Sequence, residues 1–153
     1  MGSLSRAIRG LSRLSAGDLA LLTEAWWRFA IVDLTIRTRD YRHWRHWLQD
    51  ETHEESAELP AVVQDVVRLS EIAARHHWAP MNCLRRSLVQ RQLLARRQVP
   101  STLHIGVRLA DGKRLEAHAW LSSRGQLLND TPANVATYQP FEPGKSGVPP
   151  DFR

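Results

Sequence analysis

Cys83, His118 and Asp130 are the side chains whose types and order suit nucleophilic catalysis. A thiol attacks as its thiolate, and an unassisted cysteine, with a pKa of about 8.5, is mostly protonated at neutral pH. Cys83 lies three residues after Pro80, where a helix is expected to begin. In the first turn of a helix, unpaired backbone N–H groups and the positive end of the dipole favour the thiolate. The same N–H groups suit the oxyanion of a tetrahedral intermediate. A lone cysteine is more often a small core residue, so the weight rests on its companions.

His118 and Asp130 are twelve residues apart. A three-residue hairpin loop at Ser123-Arg124-Gly125, with Gly125 left-handed, would pair Ser122 with Gln126, Trp120 with Leu128 and His118 with Asp130. Opposite Cβ atoms then stand about 4.5–5.5 Å apart. The carboxylate would hold one ring nitrogen of His118 and leave the other for a thiol. A one-residue change in that loop weakens the pairing. Upstream, a two-residue Asp111-Gly112 loop pairs His118 with Ile105, and a one-residue shift puts His104 or Gly106 there instead. Glu116 and Trp120 share the face of His118. With His104, and with Asn82 beside the thiol, they form a candidate substrate-binding set. His76, His77 and Trp78 would make a wall before Pro80. No spacing supports a metal site, and no metal or organic cofactor is expected.

These residues need elements to carry them. Residues 17–37 read as a helix with Asp18 as N-cap and a broad apolar face. Tyr41 to Leu48 places Trp44 and Trp47 on one helical face among Arg42, His43, Arg45 and His46. Such a mix binds nucleic acid or a membrane surface in some proteins, and more often packs against its own domain. Residues 50–58, DETHEESAE, read as an exposed loop. Pro60 then opens a helix carrying Val62, Val63, Val66, Leu69 and Ala73 to about His76. After Pro80, Leu84, Leu88 and Leu94 form an apolar stripe, with Arg85, Arg86, Arg91, Arg96 and Arg97 on the wet side, until Pro100. From Ser101 the period becomes two, giving strands around 103–109, 115–121 and 126–130. The tail after Pro132 reads as loop. Helices followed by an antiparallel meander make an α+β protein. The division expected is an N-terminal helical segment, 1–58, and a core with a loop-like tail, 59–153.

Composition narrows the classes. The 153 residues are 42% hydrophobic and 24% charged, which fits a folded domain and argues against disorder. One cysteine excludes an internal disulfide and a cysteine-rich zinc site. The 21 basic residues are 19 Arg and 2 Lys, against 16 acidic, for a net charge of +5. That balance leans weakly towards acidic partners and is most simply a solvated surface. The first residues lack the apolar stretch of a signal peptide. The best apolar run, 19–36, is broken by Glu24, Arg28 and Asp33, so no spanning helix is expected and a cytoplasmic location is.

Taken together, Cys83-Leu84-Arg85-Arg86-Ser87-Leu88, Leu93-Leu94-Ala95-Arg96-Arg97, Ile105-Gly106-Val107, Ala117-His118-Ala119-Trp120, Gly125 and Asp130 resemble lasso-peptide leader peptidases. These are the protease domains of the biosynthetic B protein, in the transglutaminase-like cysteine protease superfamily. The resemblance covers roughly residues 60–141. It implies a transglutaminase-like or papain-like fold, with the helix of the catalytic cysteine packed on an antiparallel sheet. It also implies Cys83, His118 and Asp130 as a triad that cuts the bond between a precursor's leader and its core. A separate leader-recognition protein would present the precursor, and a lasso cyclase would close the ring on the freed core. Two positions depart from the pattern: Gln98 where many relatives carry Gly, and Arg85 where they often carry Pro. Other readings remain: an amide hydrolase or acyl transferase with the same triad, or a non-catalytic basic module binding nucleic acid or membrane.

Overall fold

The computed structural model describes residues 14–48 and 58–141. The acidic stretch expected to be a loop lies, apart from Glu58, outside the described residues. So does the tail beyond Phe141.

Helix α1, Ala16–Thr38, starts from a reciprocal cap. Ser15 Oγ accepts the Asp18 N–H (3.0 Å), and the Asp18 carboxylate accepts the Ser15 N–H (2.9 Å). Two otherwise orphaned donors are satisfied, so Ser15 is the N-cap and Asp18, expected there, sits three residues in. The helix buries Leu21, Ala25, Phe29 and Val32. Helix α2, Tyr41–Trp44, runs into a 3-10 turn, Arg45–Leu48. Trp44 and Leu48 are buried while Arg42 and Arg45 are exposed, so this aromatic segment packs against its own domain. Helix α3, Val62–Arg75, contributes Val63, Val66, Leu69 and Ala73. Helix α4, Cys83–Ala95, contributes Leu84, Leu88, Val89, Leu93 and Leu94. All four helices share one core with Leu103, Ile105, Ala119 and Leu121 of the sheet.

Helix α4 is closed off by a turn in which Gln98 takes φ +57°. The Val99 N–H bonds the Leu94 carbonyl and the Gln98 N–H that of Ala95, both at 3.0 Å. This double closure normally places glycine at the left-handed position. Here glutamine adopts that backbone itself.

The sheet has order β3-β2-β1-β4, formed by β1 (Thr102–Ala110), β2 (Arg114–Ser123), β3 (Gln126–Leu127) and β4 (Gln139–Phe141). The second hairpin departs from the expected register by one residue, and the first takes the shifted register that sets Gly106 opposite His118. Ala110 pairs with Arg114, so the first loop holds three residues and His118 faces Gly106 rather than Ile105. Ser122 pairs with Leu127 and Ser123 with Gln126, so the second loop is Arg124-Gly125 alone. Both residues have positive φ, +51° and +77°, the two-residue geometry whose twist matches the flanking strands. The tail is not all loop. A short helix α5, Pro132–Val135, leads into β4, which pairs with β1. Pro140 is tolerated there because β4 is an edge strand.

Candidate active site

Cys83 is the first residue of α4. The preceding Asn82 is extended, and its Oδ1 accepts the Arg85 N–H at 3.0 Å. Its carbonyl accepts the Arg86 N–H at 3.1 Å. Asn82 therefore caps the helix that carries the thiol. The N–H groups of Cys83 and Leu84 take part in neither bond, and they are the donors a helix start leaves for an anion. Arg85, expected on the wet side, turns inwards and has only 12% of its side chain exposed. Its Nε donates to Asp33 Oδ1 at 2.8 Å, while Arg37 Nε donates to Oδ2 at 2.8 Å. The buried carboxylate on α1, 52 residues away in sequence, draws the guanidinium in, because a buried charge needs a partner.

His118 stands near the middle of β2. Its Nε2 is hydrogen-bonded to Asp130 Oδ2, and Nδ1 takes no part in that bond. Asp130 Oδ1 accepts the Thr131 N–H at 2.7 Å, and Asn134 Nδ2 donates to both carboxylate oxygens at 3.0 Å. Burial pushes the Asp130 carboxyl up. Hydrogen bonds from His118, Thr131 and Asn134, with the His118 charge, outweigh burial and hold it below the usual carboxylate value. Thr131 also caps α5, its Oγ1 accepting the Asn134 N–H at 3.3 Å, so the short helix aims Asn134 at Asp130.

The ring of His118 is flanked by Trp120, at 5.9 Å between centroids, and by Tyr138, at 5.0 Å. Trp120 also stacks on His104 (5.7 Å), whose Nε2 bonds Ser122 Oγ at 2.7 Å. Trp120 is buried, at 4% exposure, and forms a platform between two histidines. Glu116 accepts from Arg108 (2.9 and 3.1 Å) and Arg114 (2.8 Å). The Arg108 hydrogen bond, then that of Arg114, holds its carboxyl below the ordinary range. His77 and Trp78 pack on Trp26 of α1, at 5.1 and 4.9 Å.

Among the described residues, no hydrogen bond joins the Cys83 thiol to His118. Their elements meet instead. Ser87, one turn after Cys83, donates through Oγ to the carbonyl of Ala119, the residue after His118 (3.2 Å). Asn129, the residue before Asp130, donates to Ser87 Oγ at 3.0 Å and to Gln90 Oε1 at 2.7 Å. Its Oδ1 accepts the Leu121 N–H at 2.8 Å. Asn129, Asn134 and Tyr138 do not stand out in the sequence. Thr131-Pro132 does carry a helix-start signal, a capping residue followed by proline, and that signal would have pointed to Asn134. Among the described residues, no group of three or more His, Cys, Asp or Glu side chains is arranged to hold a metal ion, and no helix is long and apolar enough to cross a membrane.

The arrangement offers a helix-start thiol, a carboxylate-oriented imidazole on the adjoining strand, and backbone donors at the helix start. That is the equipment of covalent acyl chemistry. No curated protein and no solved structure matches the chain. A family model described as the transglutaminase-like superfamily matches residues 19–142. That superfamily typically comprises cysteine-type hydrolases or transferases. The match runs from the first turn of α1 through the whole described sheet, and the chain belongs to the transglutaminase-like superfamily.

Proposed function

We propose that this protein is a cysteine peptidase that removes the leader from a lasso-peptide precursor in the cytoplasm, with Cys83, His118 and Asp130 as its triad. The observation that carries the reading is the His118–Asp130 hydrogen bond through Nε2, beside a strand on which the helix of Cys83 packs. In this reading His118 Nδ1 takes the proton of Cys83, and the thiolate attacks the scissile carbonyl. The Cys83 and Leu84 N–H groups hold the oxyanion. His118 then protonates the departing amine of the core, leaving the leader as a thioester on Cys83. Water, deprotonated by His118, attacks the thioester, releases the leader as a carboxylate and restores the thiol. Asp130 keeps the tautomer and stabilises the imidazolium. No cofactor takes part. The precursor reaches the site with a separate leader-binding protein, and a lasso cyclase receives the core. The test is product mass with precursor and leader-binding protein. A leader ending in a free carboxylate supports hydrolysis. A leader carrying a new amide would move the assignment to acyl transfer.

A further inference from the structure

Asn129 joins the three pieces of this site. Ser87 and Gln90 lie on α4 and are fully buried. The Leu121 N–H belongs to β2, and Asp130 is the next residue along. The amide has one acceptor and two donors in use, so its whole environment dictates its orientation. Gln90 is itself held, its Nε2 donating to Glu71 Oε1 on α3 at 3.1 Å.

The register shows what this side chain does to the chain path. With Ser122 opposite Leu127, continued pairing would set Leu121 against Leu128, Ala119 against Asp130 and His118 against Thr131. Successive side chains alternate between faces, so Asp130 would share the face of Ala119 and turn away from His118. The Leu128 N–H does bond the Leu121 carbonyl at 3.0 Å. The return bond does not follow the ladder: the Leu121 N–H goes to the Asn129 side chain instead. The strand ends there, and Asp130 meets His118.

We infer that Asn129 is the positioning residue of this site. It ends the ladder so that Asp130 reaches His118, and its two donors tie that loop to the helix of Cys83. The inference rests on the Cys83–His118 reading above, and the experiment separates the two.

The readout is Cys83 alkylation by iodoacetamide, followed by intact mass at pH 7 and at pH 9.5. It needs no substrate. Wild type is compared with His118→Ala, Asn129→Asp and Gln90→Met. Asn129→Asp keeps the acceptor for Leu121 and replaces both donors with an oxygen facing Gln90 Oε1 and Ser87 Oγ. Gln90→Met cuts the tie from the helix side. An unassisted thiol is only a few per cent ionised at pH 7, so pairing with His118 accelerates alkylation there by about fivefold after allowing for weaker nucleophilicity. Expected is wild type faster than His118→Ala at pH 7, with folded Asn129→Asp falling to the His118→Ala rate. At pH 9.5, where thiols are largely ionised with or without help, the wild-type advantage is lost. A general loosening would instead change both pH values alike. A folded Asn129→Asp with the wild-type profile overturns the inference. If that variant does not fold, Gln90→Met decides by the same comparison. Failure of both to fold makes the network a determinant of folding and overturns the positioning role. Equal rates for wild type and His118→Ala overturn the Cys83–His118 reading itself, and this inference with it.

Discussion

Gly106 faces His118 across β1 and β2, and replacing it with alanine tests the packing that holds the histidine. A Cβ there would lie 2.8 Å from Trp120 Cη2, 2.9 Å from Trp120 Cζ3 and 2.8 Å from Tyr138 Cβ. Ordinary carbon contacts begin near 3.5 Å, so the neighbours must yield by about 0.7 Å. Neither moves easily: the indole is buried and stacked between two histidines, and a Cβ follows its backbone. Overpacking of this kind costs about 2–3 kcal/mol. The lower unfolded-state entropy of alanine returns up to about 1 kcal/mol, because Gly106 is not at positive φ. The net loss of about 1.5–2 kcal/mol lowers the Tm of a chain this size by about 3–8 °C. The assay is a thermal melt followed by circular dichroism, with Trp120→Phe as partner. That change removes the atoms behind two of the three clashes, so the double variant melts higher than the sum of the single shifts. Gly106→Ala melting within about 1 °C of wild type would refute the packing described around His118.

Other sites give sharper signs. Gln98→Gly relieves a left-handed glutamine and should stabilise by about 1 kcal/mol, seen as a Tm rise of a few degrees. Asp33→Ala leaves Arg85 buried without its partner, and should cost about 3 kcal/mol in urea unfolding. Asp130 and Glu24 both have carboxyls held below their usual values. At Glu24, burial raises the value, and hydrogen bonds and charge from Arg97 and Arg28 outweigh it. A depressed folded pKa stabilises above the unfolded value of about 4 and loses that contribution as pH falls through the folded one. Tm should therefore drop below about pH 4, and Asp130→Asn should flatten that drop in a pH series of melts.

The helices were legible because their apolar residues recur at helical spacing and their ends carry proline, as at Pro60 and Pro80. The α1 cap was misplaced because Asp18 is acceptable both as a cap and as the third residue of the box that Ser15 forms. The inward turn of Arg85 depends on Asp33, 52 residues away, which local periodicity cannot register. Turn chemistry specifies loop length only loosely, which left the first hairpin's register open and put the second off by one residue. A loop with Gly125 left-handed fits either length, and only the geometry puts Arg124 left-handed as well. The contact between His118 and Asp130 forms in the structure by a route the assumed register did not contain. It depends on Asn129 replacing a backbone carbonyl, a side-chain bond with no pattern of its own. Strand β4 is short, contains Pro140 and gains its pairing from β1, so nothing local announces it.

Leader release measured by intact mass decides whether Cys83 is the nucleophile of a leader peptidase. Wild-type protein and Cys83→Ala, each confirmed folded by circular dichroism, are incubated with a lasso precursor and its leader-binding protein. Wild type should give free leader and free core, and Cys83→Ala should leave the precursor intact. Leader release by the folded Cys83→Ala protein would contradict that role for Cys83.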